Sequence, residues 1–150
     1  VQTFFLRPAA EVDAAMIKGL IHQVGINPLG LYWQNFILAV DEQGRMIGCG
    51  QIKKHFDGSH ELASIAVTPN WRGRGVAKAI IQDLMSRQNS LLYLTCRSGL
   101  VPFYQKFGFE PAEYKELPPY FRRIYHLKGL FERLRLMPAE GLAILVKRGA

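Results

Sequence analysis

Ile65-Ala66-Val67-Thr68-Pro69-Asn70-Trp71-Arg72-Gly73-Arg74-Gly75-Val76-Ala77 is the stretch on which the fold turns. A β-prone run stops at Pro69-Asn70. Gly75 then opens an apolar face at helical spacing: Val76, Ala77, Ile80, Ile81 and Leu84. The turn between strand and helix is rich in glycine and arginine. A helix start offers N–H groups without intrahelical partners and a partial positive charge, both suited to phosphate oxygens. Gly73 and Gly75 let the backbone approach an anion with no Cβ in the way, and Arg72 and Arg74 add charge. This is not a Walker A loop, which needs Gly-Lys-Ser/Thr, and the G-x-G-x-x-G dinucleotide pattern fails at its third glycine. Taken alone, the six residues from Arg72 also fit a plain helix start with a solvated arginine pair.

Working outward, Thr3 to Leu6 reads as a short strand stopped by Pro8. Val12, Met16, Ile17, Leu20, Ile21 and Val24 read as one helix face, with Gly25 at its end. Phe36–Val40 and Met46–Ile52 flank Asp41-Glu42-Gln43-Gly44, a hairpin signal. Asp57-Gly58-Ser59 marks a second turn before the strand Glu61–Thr68. Beyond the first stretch come a strand over Leu91–Cys96, a short helix over Val101–Phe107 and a last strand over Leu142–Val146. Between the last two, Leu117-Pro118-Pro119 breaks the chain. An interrupted apolar stripe follows at Phe121, Ile124, Tyr125, Leu127, Leu130, Phe131 and Leu134. The order predicts an α/β fold in layers, with a mixed sheet and one strand–helix–strand crossover. The 150 residues, without repeats or a long linker, predict one domain over residues 1–150.

With 49% hydrophobic and 21% charged residues, the composition excludes whole-chain disorder. Nineteen basic against twelve acidic side chains give +7, which favours anionic partners without choosing among them. Cys49 and Cys96 are too few for a disulfide framework and fit a reducing, cytoplasmic setting. No apolar run reaches the roughly 18 residues that span a bilayer, so no membrane partner is expected. The opening Val-Gln-Thr-Phe-Phe-Leu lacks a signal pattern, and a first residue of Val leaves room for a missing initiator Met or leader. No His/Cys spacing suggests a metal.

Two motifs carry a resemblance. Arg72-Gly73-Arg74-Gly75-Val76-Ala77 resembles the R/Q-x-x-G-x-G/A signature of GNAT-type N-acetyltransferases. Pro102-Phe103-Tyr104-Gln105-Lys106-Phe107-Gly108-Phe109 resembles that family's F/L-Y-x-K-x-G-F segment. The two stand in the family's order and bracket a strand; the likeness covers about Thr3 to Phe109 and resumes at the last strand. It implies a sheet whose fourth and fifth strands splay apart around acetyl-CoA as cosubstrate. The pantetheine would pair with the backbone of Ile65, Ala66 and Val67, and the pyrophosphate would rest on Arg72 to Ala77. Seven residues before Tyr104, where family members often carry Asn, this chain has Arg97, followed by Ser98 and Gly99. That puts one cofactor contact in question.

Acyl transfer from a thioester to an amine needs an unprotonated amine and a stabilised or protonated leaving thiolate. The resemblance makes Tyr104 the donor to the departing sulfur; the alternative is a core aromatic beside Phe103 and Phe107. It makes Glu61, which opens the strand to Val67, the general base. An exposed strand-end glutamate is the bland alternative, and His55 and His60 are alternative bases. Buried structural thiols are expected at Cys49 and Cys96. The resemblance places the amine acceptor against Ile26–Trp33, with Leu29, Leu31, Tyr32 and Trp33 expected to be exposed, and against the long segment Glu110–Glu140. That segment suits a lid, an acceptor clamp, a homodimer contact or a helix that simply packs on the sheet. The positive charge suits a peptide terminus or a small amine bearing a carboxylate better than a polyamine. The leading expectation is an acetyl-CoA-dependent N-acetyltransferase. The alternatives are a catalytically idle acyl-CoA sensor and a nucleic-acid-binding domain, the latter supported by little beyond the charge.

Overall fold

The computed structural model describes residues 3–134 and 141–149. Seven strands lie in the order β1-β2-β3-β4-β5-β7-β6. In chain order these are β1 (Phe4–Pro8), β2 (Phe36–Asp41), β3 (Met46–Lys54), β4 (His60–Val67), β5 (Leu92–Arg97), β6 (Glu110–Pro111) and β7 (Leu142–Lys147). The helices are α1 (Ala14–Val24), α2 (Val76–Ser86), α3 (Val101–Gln105) and α4 (Pro119–Arg133). The sheet is mixed as expected: β1–β2, β2–β3, β5–β7 and β6–β7 are antiparallel, and β4–β5 is parallel. Among the described residues the β4–β5 ladder has two pairs, His60 with Leu92 and Glu61 with Tyr93. The short β6 has no counterpart in the sequence reading. The chain forms two compact units, residues 1–53 with 62–88, and residues 54–61 with 89–150.

In the first unit, Ile17, Leu20 and Ile21 of α1 pack with Phe36, Leu38, Val40, Cys49 and Ala66. The α1 face is narrower than the spacing predicts. Val12 lies in a 3-10 turn over Glu11–Asp13 ahead of the helix and is exposed, and Met16, within α1, is exposed as well. Asp13 is buried there instead, held by both Arg7 guanidinium nitrogens at 2.8 and 2.9 Å. The Arg7 hydrogen bonds outweigh burial and keep the Asp13 carboxyl below its ordinary range. β1 ends at Pro8, which still pairs with Ile37, on an edge strand where a missing N–H is tolerated. The hairpin after β2 forms as read. Asp41 Oδ1 accepts from the N–H groups of Gln43 and Arg45, and Gly44 takes φ +78°.

On β3, Gly48 and Gly50 are closely packed. A Cβ at Gly50 would come within 2.6 Å of Ile65 and 2.7 Å of Ile80. Gln51 is fully buried; its Nε2 donates to the Gly30 carbonyl (3.2 Å) and to Ser64 Oγ (2.8 Å). Its Oε1 has no hydrogen-bond partner among the described residues. Ser64 itself sits at φ +60°, in the left-handed region a non-glycine residue seldom enters.

In the second unit, Tyr93, Leu117, Phe121, Ile144 and Val146 form a core. The Pro118-Pro119 break is a helix start: α4 begins at Pro119, where a missing N–H costs nothing. Of its apolar stripe only Phe121 is buried and Ile124 partly so. Tyr125, Leu127, Leu130, Phe131 and Leu134 are exposed. The rest of the connection to β7, residues 135–140, lies outside the described residues.

Candidate active site

The loop leaving β4 behaves as its composition suggests. A 3-10 turn over Pro69–Trp71 is followed by Gly73 at φ +75° and Gly75 at φ +82°. Both glycines are needed for conformation, and a Cβ built on either meets nothing within 4 Å, so the loop face is open. The i→i−4 bond from Ala79 N–H to the Gly75 carbonyl, 3.0 Å, leaves the N–H groups of the first turn of α2 ahead of the ladder. No side chain caps them. Arg72 Nε donates to the Val67 carbonyl at 3.2 Å, and the Arg74 guanidinium lies 5.3 Å from the Trp71 ring centre. One arginine thus ties the loop to the end of β4, and both remain exposed. Of the strand residues assigned to pantetheine, Ala66 is buried and Ile65 and Val67 are half-buried. This backbone fits a diphosphate: open, glycine-shaped, basic and at a helix start.

Loop Ile26–Trp33 is pinned from β3, by Gln51 at Gly30 and by Lys53 Nζ at the Leu29 carbonyl, 2.8 Å. Leu29 and Tyr32 are exposed as expected. Leu31 and Trp33 are not; they pack on the first unit's core.

The second unit holds the titratable groups. Glu61 is not an exposed strand end but 6% accessible. Its Oε2 lies 2.6 Å from His55 Nε2, so two separate candidates for the base are one contact pair. The imidazole stacks on Tyr120, ring centres 3.4 Å apart and planes 12° apart, with Phe121 edge-on at 5.7 Å. The Tyr120 backbone N–H donates to Asp57 Oδ2 at 2.9 Å. Pro118 has no side chain able to cap α4, and Asp57, from the turn before β4, supplies the carboxylate at that helix start. Burial opposes the Asp57 charge, but the Ser59 and Tyr120 donors prevail and hold its carboxyl below the usual range. Burial, with Glu61 and Asp57 nearby, raises the Tyr120 phenol. His60, the other alternative base, is half-buried beside Leu92 in the ladder.

Tyr104 lies on α3 among aromatic rings: Phe103 at 5.0 Å and Phe109 at 6.2 Å. Burial, and the Cys96 thiol beside it, push its phenol up to about 12. Burial likewise pushes the thiols of Cys96 up to about 11 and Cys49 up to about 12. Neither cysteine has the low pKa of a nucleophile. Arg97 is exposed at the end of β5. Among the described residues no group of three or more His, Cys, Asp and Glu could hold a metal ion, and no helix is long and apolar enough to cross a membrane.

Comparison with known proteins gives the family and the fold. The sequence model described as the acetyltransferase (GNAT) domain matches residues 33–111. That is more than half of the chain, and the chain belongs to the GNAT acetyltransferase family. The fold matches N-acetylglutamate synthase from Neisseria gonorrhoeae, complexed with coenzyme A and N-acetyl-glutamate. The TM-score is 0.76 at 21% identity, over 99% of this chain and 35% of that one. It also matches Rv2747 from Mycobacterium tuberculosis in complex with CoA and NLQ, with TM-score 0.72 and 22% identity over 97% and 99% of the two chains. A GNAT-family acetyltransferase from Staphylococcus aureus matches at TM-score 0.71 and 12% identity, over 97% of this chain and 99% of that one. The chain thus spans about a third of the Neisseria protein's length.

Proposed function

We propose that residues 1–150 act as one acetyl-CoA-dependent N-acetyltransferase domain, moving an acetyl group to a primary amine by direct attack in a ternary complex. The observation that carries this is the left-handed Gly73 and Gly75 opening α2 directly after β4, in a chain of the GNAT family. Acetyl-CoA supplies the activated acetyl thioester. The Arg72–Ala77 backbone binds the diphosphate, with Arg72 and Arg74 adding charge, and Ile65, Ala66 and Val67 offer their backbone to the pantetheine. CoA bound to the Neisseria and Mycobacterium proteins supports the ligand class.

Glu61 takes the proton that the amine loses, and Tyr104 faces the charge on the departing sulfur. With its phenol at about 12, Tyr104 is a neutral donor across the working pH range. Tyr104 donates its phenolic proton to the departing thiolate and regains one from solvent. The raised Cys96 and Cys49 thiols support direct attack over an acyl-cysteine route.

The acceptor class best supported is a small amine that bears a carboxylate. The net charge of +7 attracts it, and the Neisseria protein carries N-acetyl-glutamate. Calorimetry with CoA, then thiol release from acetyl-CoA across amino acids, peptides and polyamines, tests the proposal. Thiol release with L-glutamate or a like amino acid is expected. CoA binding with no release across the panel would make the chain an acyl-CoA sensor, and no CoA binding would overturn the reading.

A further inference from the structure

The base proposed above sits in a small polar cluster built by three segments: the turn after β3, the start of β4 and the start of α4. An ionised carboxylate only accepts hydrogen bonds. At 2.6 Å from Oε2, His55 Nε2 must then carry the proton and donate it. That contact fixes one oxygen of Glu61 and leaves Oε1 to accept a proton. The imidazole is itself held on both sides. Tyr120 covers its face at 3.4 Å, and Phe121 meets it edge-on. Tyr120 is anchored through its backbone to Asp57, two residues from His55, and the His55 N–H donates to the Ser59 carbonyl at 2.9 Å across the same turn. His55 and Glu61 keep only 11% and 8% of their side-chain surface accessible, so neither is free to choose another rotamer partner in solvent.

We propose that His55 is the positioning residue for the base: its Nε2–H holds Glu61 in the orientation that takes the acceptor's proton, and α4 holds His55 through Tyr120. The inference rests on the assignment of Glu61 as base. The proton lost by the amine goes to Glu61 Oε1 and from there to solvent; His55 keeps its own proton throughout. The consequence is that His55 acts only through Glu61.

The two amide replacements of histidine separate position from bulk. Glutamine places its amide nitrogen near where Nε2 lies, while asparagine is one carbon shorter and places it near Nδ1. With thiol release measured using L-glutamate, His55→Asn is expected to lower kcat about 10–100-fold, less than the roughly 10²–10⁴-fold that a general base itself contributes, because the base is misplaced and not removed. CoA affinity should stay unchanged in both variants, and His55→Gln should recover most of the rate. In a Glu61→Gln background, His55→Asn should add less than about twofold, because groups acting as one unit are not additive. Equal rates for the two amide variants, or losses that multiply, would overturn the proposal. A second measurement needs no acceptor. In proton NMR of the unmodified chain, one imidazole N–H should appear far downfield and exchange slowly, and Glu61→Gln should remove it. Its persistence in that variant, or its absence from the wild type, would also overturn the proposal. If Glu61→Gln leaves turnover unchanged while CoA still binds, the base assignment falls and this inference with it, but the cofactor reading stands.

Discussion

Residues 72–77 and the cluster around Glu61 handle charge with different materials. The loop is backbone: two left-handed glycines, an uncapped helix start and two exposed arginines, all contiguous in the chain. The cluster is side chains: a carboxylate, an imidazole and a phenol ring, drawn from residues 55, 61 and 120 and largely shielded from water. An open backbone surface suits a ligand that arrives with its own charge. A shielded side-chain set suits a proton that must be taken from one atom. The difference teaches that binding and turnover should be separable by mutation.

The sharpest break comes from Tyr104→Phe. Removing one donor aimed at charge that develops in the transition state costs about 10²–10³-fold in kcat. CoA affinity by calorimetry should hold, since the ring still packs on Phe103 and Phe109. Full turnover in this variant would remove Tyr104 from the chemistry.

The loop should respond the other way. Gly75→Asp puts a side chain and a negative charge at a φ of +82° beside the anion cradle. CoA affinity should fall at least about tenfold, or about 1.4 kcal/mol. Gly75→Asn, which tolerates the same backbone without the charge, should lose less. Equal affinities in all three proteins would mean that the diphosphate binds elsewhere.

Stability against pH sharpens the contrast on the alkaline side. Tyr104, Cys96 and Cys49 all have folded-state pKa values raised, to about 12, 11 and 12. Between the ordinary values and these, the unfolded chain loses protons that the folded chain keeps. The folded state therefore binds more protons, and stability falls as pH rises from about 9 to 12. Melting temperatures across that range should decline, and Cys49→Ala should flatten the decline. A melting curve level to pH 11 would contradict the burial of these groups.

The smallest effect tests a structural pair that takes no part in the proposed chemistry. Arg7→Leu leaves the buried Asp13 carboxylate without its guanidinium and should cost about 1–2 kcal/mol at neutral pH. Asp13 has its pKa lowered, so the pair's contribution is present above the ordinary carboxylate value of about 3.9 and is lost as pH falls through the folded value. The gap in stability between the two proteins should close in acid, with kcat unchanged at neutral pH.

How much was legible follows from these materials. The glycine turn into α2 was readable because a glycine with positive φ and a helix start are local facts, written in adjacent residues. Every strand but the two-residue β6, and α2, were readable for the same reason, since period and turn chemistry are local. The α4 stripe left its role open, because seven apolar residues at roughly helical spacing say nothing of which side meets a core; the fold buries Phe121 and leaves Leu127, Leu130 and Leu134 exposed. Leu31 and Trp33 misled, packing inward from a loop read as exposed.

The sequence by itself determined the order of six strands and the helices, the glycine-rich turn that opens α2, the family and the residue types available for acid and base. Each depends on neighbours along the chain, where a few residues settle backbone conformation. Tertiary structure alone decided that Glu61 and His55 are one pair, that Tyr120 covers it and that Asp57 caps α4 across 63 positions of sequence. Those contacts join segments whose separation carries no local pattern, and only closure of the chain brings their side chains within hydrogen-bonding distance.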